Sequence, residues 1–427
     1  MKVLIVSHNP MTTHNNMGKT LTTLFHAFSP EELCHLYVYP TIPDVDKCSS
    51  HYRITDKDVL KSYYRFKVKG RVIPHSEIDT GKHFLYENAK DETIYRNKKN
   101  KAPLRMLLRD CMWKFSRWYS RELEVWINEQ CPSHIFLAPG TAKFIYDVAM
   151  KISKKHHLPI ITYICDDYYF VKPAVTVLGR FQQKGLHRKM EKALSRSSLI
   201  ITICPELESL YSKRFAVPTV TVMTGSDFPI ADAPREHDEI GALCYMGNIR
   251  CNRYLSLAKI GKALDDINAE HDTNYRLKIY SGQRDADILE VLEPIRSIEF
   301  CGFVSGEEFR RTFENADMLL HVEDFDAQSI DLVKHSVSTK IADSLACGIP
   351  FFAFAPDCIA SMSYLLENGS ALTCTDAVQL KDVLYEALSN KALRREVIER
   401  ALKTALQNHE RNAVGERVKS IIATIDS

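Results

Sequence analysis

Short runs of continuous apolar residues alternate with longer stretches of helical spacing along most of the chain. Residues 2–7 (KVLIVS) form the first run, and 18–28 follow with Leu21, Leu24, Phe25 and Phe28 at helical intervals. Further runs lie at 35–39, 134–138 (HIFLA), 160–164 (IITYI), 199–203 (LIITI) and 219–223 (TVTVM). The second half repeats the habit. Strand-like runs at 242–246, 277–280, 298–300, 318–322 and 350–354 are separated by helical patterns at about 254–269, 286–292, 307–314 and 339–346, with helices from about 377 onward. Continuous β-branched runs between helices predict parallel strands covered on both faces.

A polar, Pro-containing stretch at 227–239 separates the two series and reads as a linker. The prediction is an α/β chain of two doubly wound domains facing a cleft. The first spans residues 1–228, with an insertion at about 56–130 that is richer in charge and aromatics, and the second spans 239–408. In such sheets ligands sit at the carboxyl ends of the strands. Residues 408–425 place Val414, Val418, Ile421 and Ile422 at helical spacing, as in an amphipathic helix.

Composition narrows this picture. With 427 residues, 45% apolar and 26% charged, the chain is globular and too long for one ordinary core. No run of eighteen apolar residues exists, and residues 2–7 are too short an apolar stretch for a signal peptide. The expected location is cytoplasmic. Twelve cysteines form no CxxC pair and sit among apolar neighbours, as reduced core residues do. The net charge of +2 hides an asymmetry: residues 1–230 carry 34 Lys+Arg against 22 Asp+Glu, and the remainder carry 22 against 32. A basic first half of net +12 suits an anionic surface. An acidic second half and no recognised motif argue against nucleic acid, and an absent G-x-G-x-x-G argues against a nicotinamide enzyme.

Several segments carry chemistry. In residues 245–253 (YMGNIRCNR) a strand ends at Gly247, a polar loop with Asn248 and Arg250 follows, and a helix begins at Arg253. Amides at a helix start beside arginines make an anion site, although a plain strand–helix turn has the same pattern. In 338–350 (STKIADSLACGIP), Ser338 and Thr339 can cap a helix. Lys340 then sits in the first turn, where a cation is unfavourable unless an anion is there too. Asp343 follows one turn later on the same face. Residues 278–282 (KIYSG) and 301–304 (CGFV) place Ser281, Gly282 and Phe303 at strand ends, where ordinary turns are an equal explanation. In 15–20 (NNMGKT), Gly18 allows close backbone approach and Lys19 adds charge, but the segment is not a Walker A loop. In 164–169 (ICDDYY), Asp166 and Tyr168 lie at a strand's end, where Asp166 can orient a hydroxyl or act on its proton; Asp167 as a helix cap is the alternative. Asp324-Phe-Asp326 is too short to specify a metal site and reads as a solvated loop. Residues 98–126 interleave Trp113, Phe115, Trp118, Tyr119 and Trp126 with Arg105, Arg109, Lys114, Arg117 and Arg121. That mixture fits an anionic membrane interface, or an amphipathic helix packed on its own domain.

Residues 242–420 resemble glycosyltransferase family 4, the large retaining family of the GT-B fold, in which two Rossmann-like domains face a cleft. Ser338, Thr339, Lys340, Asp343, Gly348 and Pro350 line up with the Ser/Thr-Lys-x-x-Asp/Glu motif of its bacterial polysaccharide enzymes. The resemblance implies that Arg253 holds a donor diphosphate, that Asp343 holds the ribose, and that 278–282 and 301–304 border the base. It also implies a Gly-containing loop at Gly18, an acceptor-side Asp at Asp166 with Tyr168 in place of Trp, and a last helix at 409–427 that crosses back to the first domain. One departure stands out: the family's first glutamate of an E-x7-E pair is His335 here. The expected function is sugar transfer from a nucleotide diphosphate sugar to a saccharide or lipid-linked acceptor in cell-surface polysaccharide synthesis. It would proceed with retention, without cofactor or metal, at the inner face of the cell membrane. A nucleotide-sugar epimerase and a catalytically silent nucleotide-binding protein are the alternatives.

Overall fold

The computed structural model describes residues 1–13, 16–65, 70–78, 103–235 and 239–426. They fall into two compact units, Met1–Gly225 with Arg411–Ser427, and Ser226–Glu410.

The first unit holds an eight-stranded sheet in the order β4-β3-β2-β1-β5-β6-β7-β8. Its strands are β1 (Val3–Ser7), β2 (Leu33–Tyr37), β3 (Ser50–Arg53), β4 (Arg71–Ile73), β5 (His134–Ala138), β6 (Ile160–Ile164), β7 (Leu199–Thr202) and β8 (Thr219–Thr221). All pairings are parallel except β3 with β4. β1, β5 and β6 are buried throughout, as continuous apolar runs covered by helices on both faces require.

The second unit holds a six-stranded parallel sheet in the order β11-β10-β9-β12-β13-β14. Its strands are β9 (Ala242–Met246), β10 (Arg276–Tyr280), β11 (Ile298–Gly302), β12 (Met318–Val322), β13 (Phe351–Phe354) and β14 (Leu372–Cys374). β9 lies centrally and pairs with β10 on one side and β12 on the other. The chain ends of β9, β10 and β12 therefore open side by side, where an α/β sheet presents its ligand loops.

One expectation changes. Residues 227–235 do not behave as a loose linker. The Asp227 amide donates to Asp343 Oδ1 at 2.9 Å, Phe228 stacks on Phe313 at 4.9 Å, and the Ala231 and Arg235 amides donate to the Ala346 and Gly348 carbonyls. This segment satisfies carbonyls at the end of helix Thr339–Ala346, so it is bound to the second unit. Residues 236–238 of the expected linker lie outside the described residues. The expected helix at 408–425 lies at Arg411–Ala423, after a short break in the chain. Helix Lys391–Asn408 stops, and buried His409 anchors the break through Tyr364 Oη at 2.9 Å and through its own carbonyl to the Ser226 amide. Helix Arg411–Ala423 then packs against helix Asn16–Leu24 in the first unit.

That last packing is close. A Cβ on Gly415 would stand 2.6 Å from the Ala27 amide nitrogen. Gly415→Val is expected to destabilise the first unit by about 1–3 kcal/mol, lowering its calorimetric transition by several degrees. An unchanged transition would show that the helix shifts without cost.

The expected insertion holds helices Asp56–Arg65, Pro103–Phe115 and Arg121–Gln130 and strand β4, while 66–69 and 79–102 lie outside the described residues. Trp113, Trp118 and Trp126 are all buried, so the tryptophans belong to the core rather than to an interface. Trp113 stacks on Phe144 at 4.2 Å and donates to Asp56 Oδ1 at 2.7 Å, and Trp126 donates to Ser50 Oγ at 2.8 Å.

Candidate functional site

The chemistry gathers at the ends of β9 and β12. β9 finishes on Tyr245-Met246, and Gly247 continues the ladder, its amide donating to Tyr280 O at 3.0 Å. The loop 248–252 is tightly organised. Tyr245 Oη donates to Asn248 O at 2.6 Å, Asn248 Oδ1 accepts from the Arg250 amide at 2.8 Å, and the Ile249 amide donates to Gln283 Oε1 at 2.8 Å. Cys251 and Asn252 adopt left-handed backbone, which turns the chain into helix Arg253–His271. Arg250 is exposed, 3.6 Å from half-buried Asp285.

Arg253 opens that helix, and its guanidinium is engaged. It grips Glu323 in a fork, Nε to Oε2 at 2.8 Å and Nη2 to Oε1 at 2.7 Å. Glu323 follows β12 directly and is buried. Burial raises its carboxyl pKa, and Arg253 opposes the rise. For Arg253, burial alone lowers the pKa, and the Glu323 charge outweighs it.

Lys340 comes to the same place from helix Thr339–Ala346, whose N-cap Ser338 accepts the Lys340 amide. Its ammonium packs on Gly247: a Cβ there would lie 3.2 Å from Lys340 Nζ. The loop after β9 and the helix after residue 338 therefore meet through a glycine that leaves room for the ammonium. His321, buried on β12, feels the result. Burial, then the Arg253 and Lys340 charges, hold its pKa down at about 3. Two cations, two helix starts and one buried carboxylate thus converge, an arrangement suited to an anion.

The other expected residues are placed as follows. Ser281 is buried, accepts the Gln283 amide at 3.3 Å, and so ties the loop after β10 to the loop after β9 through Gln283. Phe303 is exposed and lies over Gly282, 3.5 Å from where its Cβ would be. Thr339 and His335 are half-buried, at the start of and just before helix Thr339–Ala346. Asp343 exposes no surface, and its Oδ1 accepts from the Ser226 hydroxyl at 3.3 Å and the Asp227 amide. In this arrangement it binds the 226–227 segment rather than presenting a carboxylate outward.

In the first unit, Gly18 lies against the chain itself, since a Cβ would stand 2.8 Å from Pro10 O. The close approach is made by residues 10–12, and Lys19 beside it is half-buried. Asn15 of that motif lies outside the described residues. Asp166 accepts from Tyr168 Oη at 3.0 Å, which joins the two residues into one polar pair. Burial, then Cys165 and Asp166, push the Tyr168 pKa up. Asp167 forms a turn, accepting the Tyr169 and Phe170 amides at 2.9 Å.

Asp324 and Asp326 lie in a loop as expected, but only Asp326 reaches solvent. Asp324 is buried and accepts from Ser256 Oγ, and Asp326 caps helix Ala327–Val333 and accepts from Asn252 Nδ2 at 3.1 Å. Glu323 and His321 were not anticipated from the sequence. The available signal was an acid placed directly after a buried apolar run, where a solvated side chain has no room.

His321 sets a pH dependence. An unfolded histidine titrates near 6.5, and His321 in the fold near 3, so the unfolded chain binds the extra proton between those values. Its contribution is complete above pH 6.5 and is lost as pH falls towards 3, on the order of 4 kcal/mol in all. Urea unfolding across this range should show a slope that His321→Leu flattens by up to one proton. An equal slope in both proteins would remove His321 as its source.

Comparisons with known proteins agree with the architecture. Residues 260–419 match the model of a family described as glycosyl transferase-like. The structure resembles Anabaena HepE solved with UDP and glucose, at TM-score 0.63 and 10% identity, covering 100% of both chains. It also resembles sucrose-phosphate synthase from Thermosynechococcus elongatus, at TM-score 0.59 and 12% identity, covering 99% of each. A trehalose-phosphate synthase of Burkholderia xenovorans solved with glucose-6-phosphate gives TM-score 0.60 at 8% identity, over 99% of this chain and 100% of that one. No curated protein matches in sequence. The chain has the fold of the GT-B glycosyltransferases, with parallel-sheet, Rossmann-like units.

Proposed function

We propose that this protein transfers a sugar from a nucleoside diphosphate sugar to a saccharide acceptor carried on a lipid, in cell-surface polysaccharide synthesis. The observation that carries this reading is the Lys340 ammonium seated on Gly247, beside Arg253 and two helix starts. Fixed positive charge there stabilises the diphosphate as it leaves. Uridine diphosphate is the base-bearing group we favour, because the Anabaena protein was solved with UDP and with UDP-glucose. Phe303 over Gly282 supplies a face for the base, and the Asp166–Tyr168 pair orients the acceptor hydroxyl. Transfer with retention and without a metal follows the family 4 resemblance.

A thermal-shift screen with UDP- and GDP-sugars tests the donor. Stabilisation rises with ligand concentration by mass action, and no response to any nucleotide sugar would defeat the proposal. Turnover without acceptor would identify an epimerase instead.

The lipid-linked acceptor has its own support. With the tryptophans buried, helix Pro103–Phe115 still exposes Leu104, Leu108 and Phe115. Helix Val177–Leu194, tied to it by Gln182 donating to Asp110 at 3.1 Å, exposes Val177 and Phe181. Arg105, Lys114, Arg180 and Lys184 on the same helices, and Arg117 just after the first, are exposed as well. Apolar residues accompanied by basic ones fit an anionic bilayer. Leu108→Asp with Phe115→Asp should reduce sedimentation with phosphatidylglycerol vesicles at least tenfold, since each removes about 1.5–3 kcal/mol of burial. Unchanged binding would remove this face from the proposal.

A further inference from the structure

The interior of the first unit holds a cluster that sugar transfer does not use. His35 on β2 and His51 on β3 are register partners, so their side chains share one face of the sheet. Their rings stand 5.5 Å apart. Cys48, in the loop that leads into β3, joins them: one ligating atom from each of His35, Cys48 and His51 lies within 4.8 Å of the others. Cys48 Sγ is also 3.7 Å from the thioether of Met11. All four residues are fully buried.

Hydrogen bonding does not account for the histidines. Among the described residues, neither ring nitrogen of His51 has a partner, and neither does His35 Nδ1. His35 Nε2 meets Ser7 Oγ at 2.8 Å. A neutral imidazole carries one donor and one acceptor, and groups of this kind are rarely left unpaired in a core. A metal ion would take the open lone pairs. Ser7 on His35 Nε2 is then the outer partner that orients a ligating ring.

We propose that His35, Cys48, His51 and Met11 bind a single copper(I) ion in the interior of the first unit. Two imidazoles, a thiolate and a thioether are a soft set, which selects copper(I) over harder ions. The 3.7 Å sulfur–sulfur separation is near the edge of a tetrahedron with metal–sulfur bonds of about 2.3 Å. Charge decides between copper(I) and zinc. Copper(I) with one thiolate is neutral, whereas a zinc ion would leave a positive charge in a dry core. Asp46, whose charge reaches both Cys48 and His51, is paired with His75 at 2.7 Å. Binding exchanges the thiol proton for the metal: the S–H bond breaks, the Cu–S bond forms, the proton goes to solvent, and no electron moves.

Burial keeps both histidines neutral, with His51 held down at about 4, so they are ready to ligate at neutral pH.

The test is anaerobic titration of the full chain with copper(I) against a chromophoric chelator. The wild type should withhold one equivalent, and Cys48→Ala and His51→Leu should each weaken binding at least 100-fold. Exposed Cys111, Cys131, Cys251 and Cys358 contribute equally to all three proteins, so the difference reports the buried site. X-ray absorption of the loaded wild type should show both nitrogen and sulfur around copper, and it decides the matter should either variant fail to fold. Equal retention by Cys48→Ala, no retention by the wild type, or a spectrum without sulfur would overturn the site. Displacement by stoichiometric zinc would overturn the assignment to copper(I).

Discussion

Lys340→Met is expected to lower nucleotide-sugar turnover by about 10²–10³-fold, the range found when one preorganised donor to a developing anion is removed. Methionine keeps the stem that packs on Gly247 and removes only the charge. The helix cap is untouched, because Ser338 bonds the Lys340 amide and not its side chain. Stability should therefore hold or rise slightly, since a cation in the first turn of a helix opposes the dipole when no anion is bound. The loss should appear in donor affinity as well as in kcat. Steady-state rates with a UDP-sugar, beside titration with UDP alone, would measure both. Full activity in Lys340→Met would separate the ammonium from the diphosphate and leave the candidate site without its main charge.

Arg253→Leu should act first on stability. The substitution strands Glu323, which is buried behind the fork that Arg253 makes with it. Breaking a buried pair from one side costs about 3–5 kcal/mol. For a unit of this size that is a fall in Tm of roughly 10 °C. The loss should be smaller at acid pH. Burial already raises the Glu323 pKa, and without Arg253 the carboxyl relieves the strain by taking a proton. Arg253→Leu with Glu323→Leu tells structure from chemistry. The double substitution should recover most of the lost stability without restoring donor binding, if Arg253 also faces the diphosphate. Recovery of both would confine Arg253 to a structural role.

The Arg253 site was legible in the sequence only in part. The position of Arg253 was readable, because a strand ending in glycine followed by a basic residue at a helix start is a local pattern. Its partner was not, since the Arg253–Glu323 pair spans 70 residues and depends on β9 lying beside β12. Strands behaved the same way. β5, β6, β9 and β12 coincide with the apolar runs because both faces of each are covered. β3 (SHYR) was unreadable because its buried residues are polar, and β4 and β14 are three residues long. The tryptophans left two readings open for a related reason. An amphipathic helix against its own domain and one against a bilayer share a pattern, and only tertiary packing decides which residues face out.

The second unit is, in sequence, enclosed by the first: residues 226–410 intervene between Gly225 and the helix Arg411–Ala423 that completes the first unit. Synthesis runs from the amino end. The second unit therefore has all its strands available before the first receives its last helix. Val414, Val418 and Ile422 cover surface that stays open until then. The order of maturation is inverted relative to the order of the chain, with the second unit complete while the amino-terminal one still waits for its closing piece.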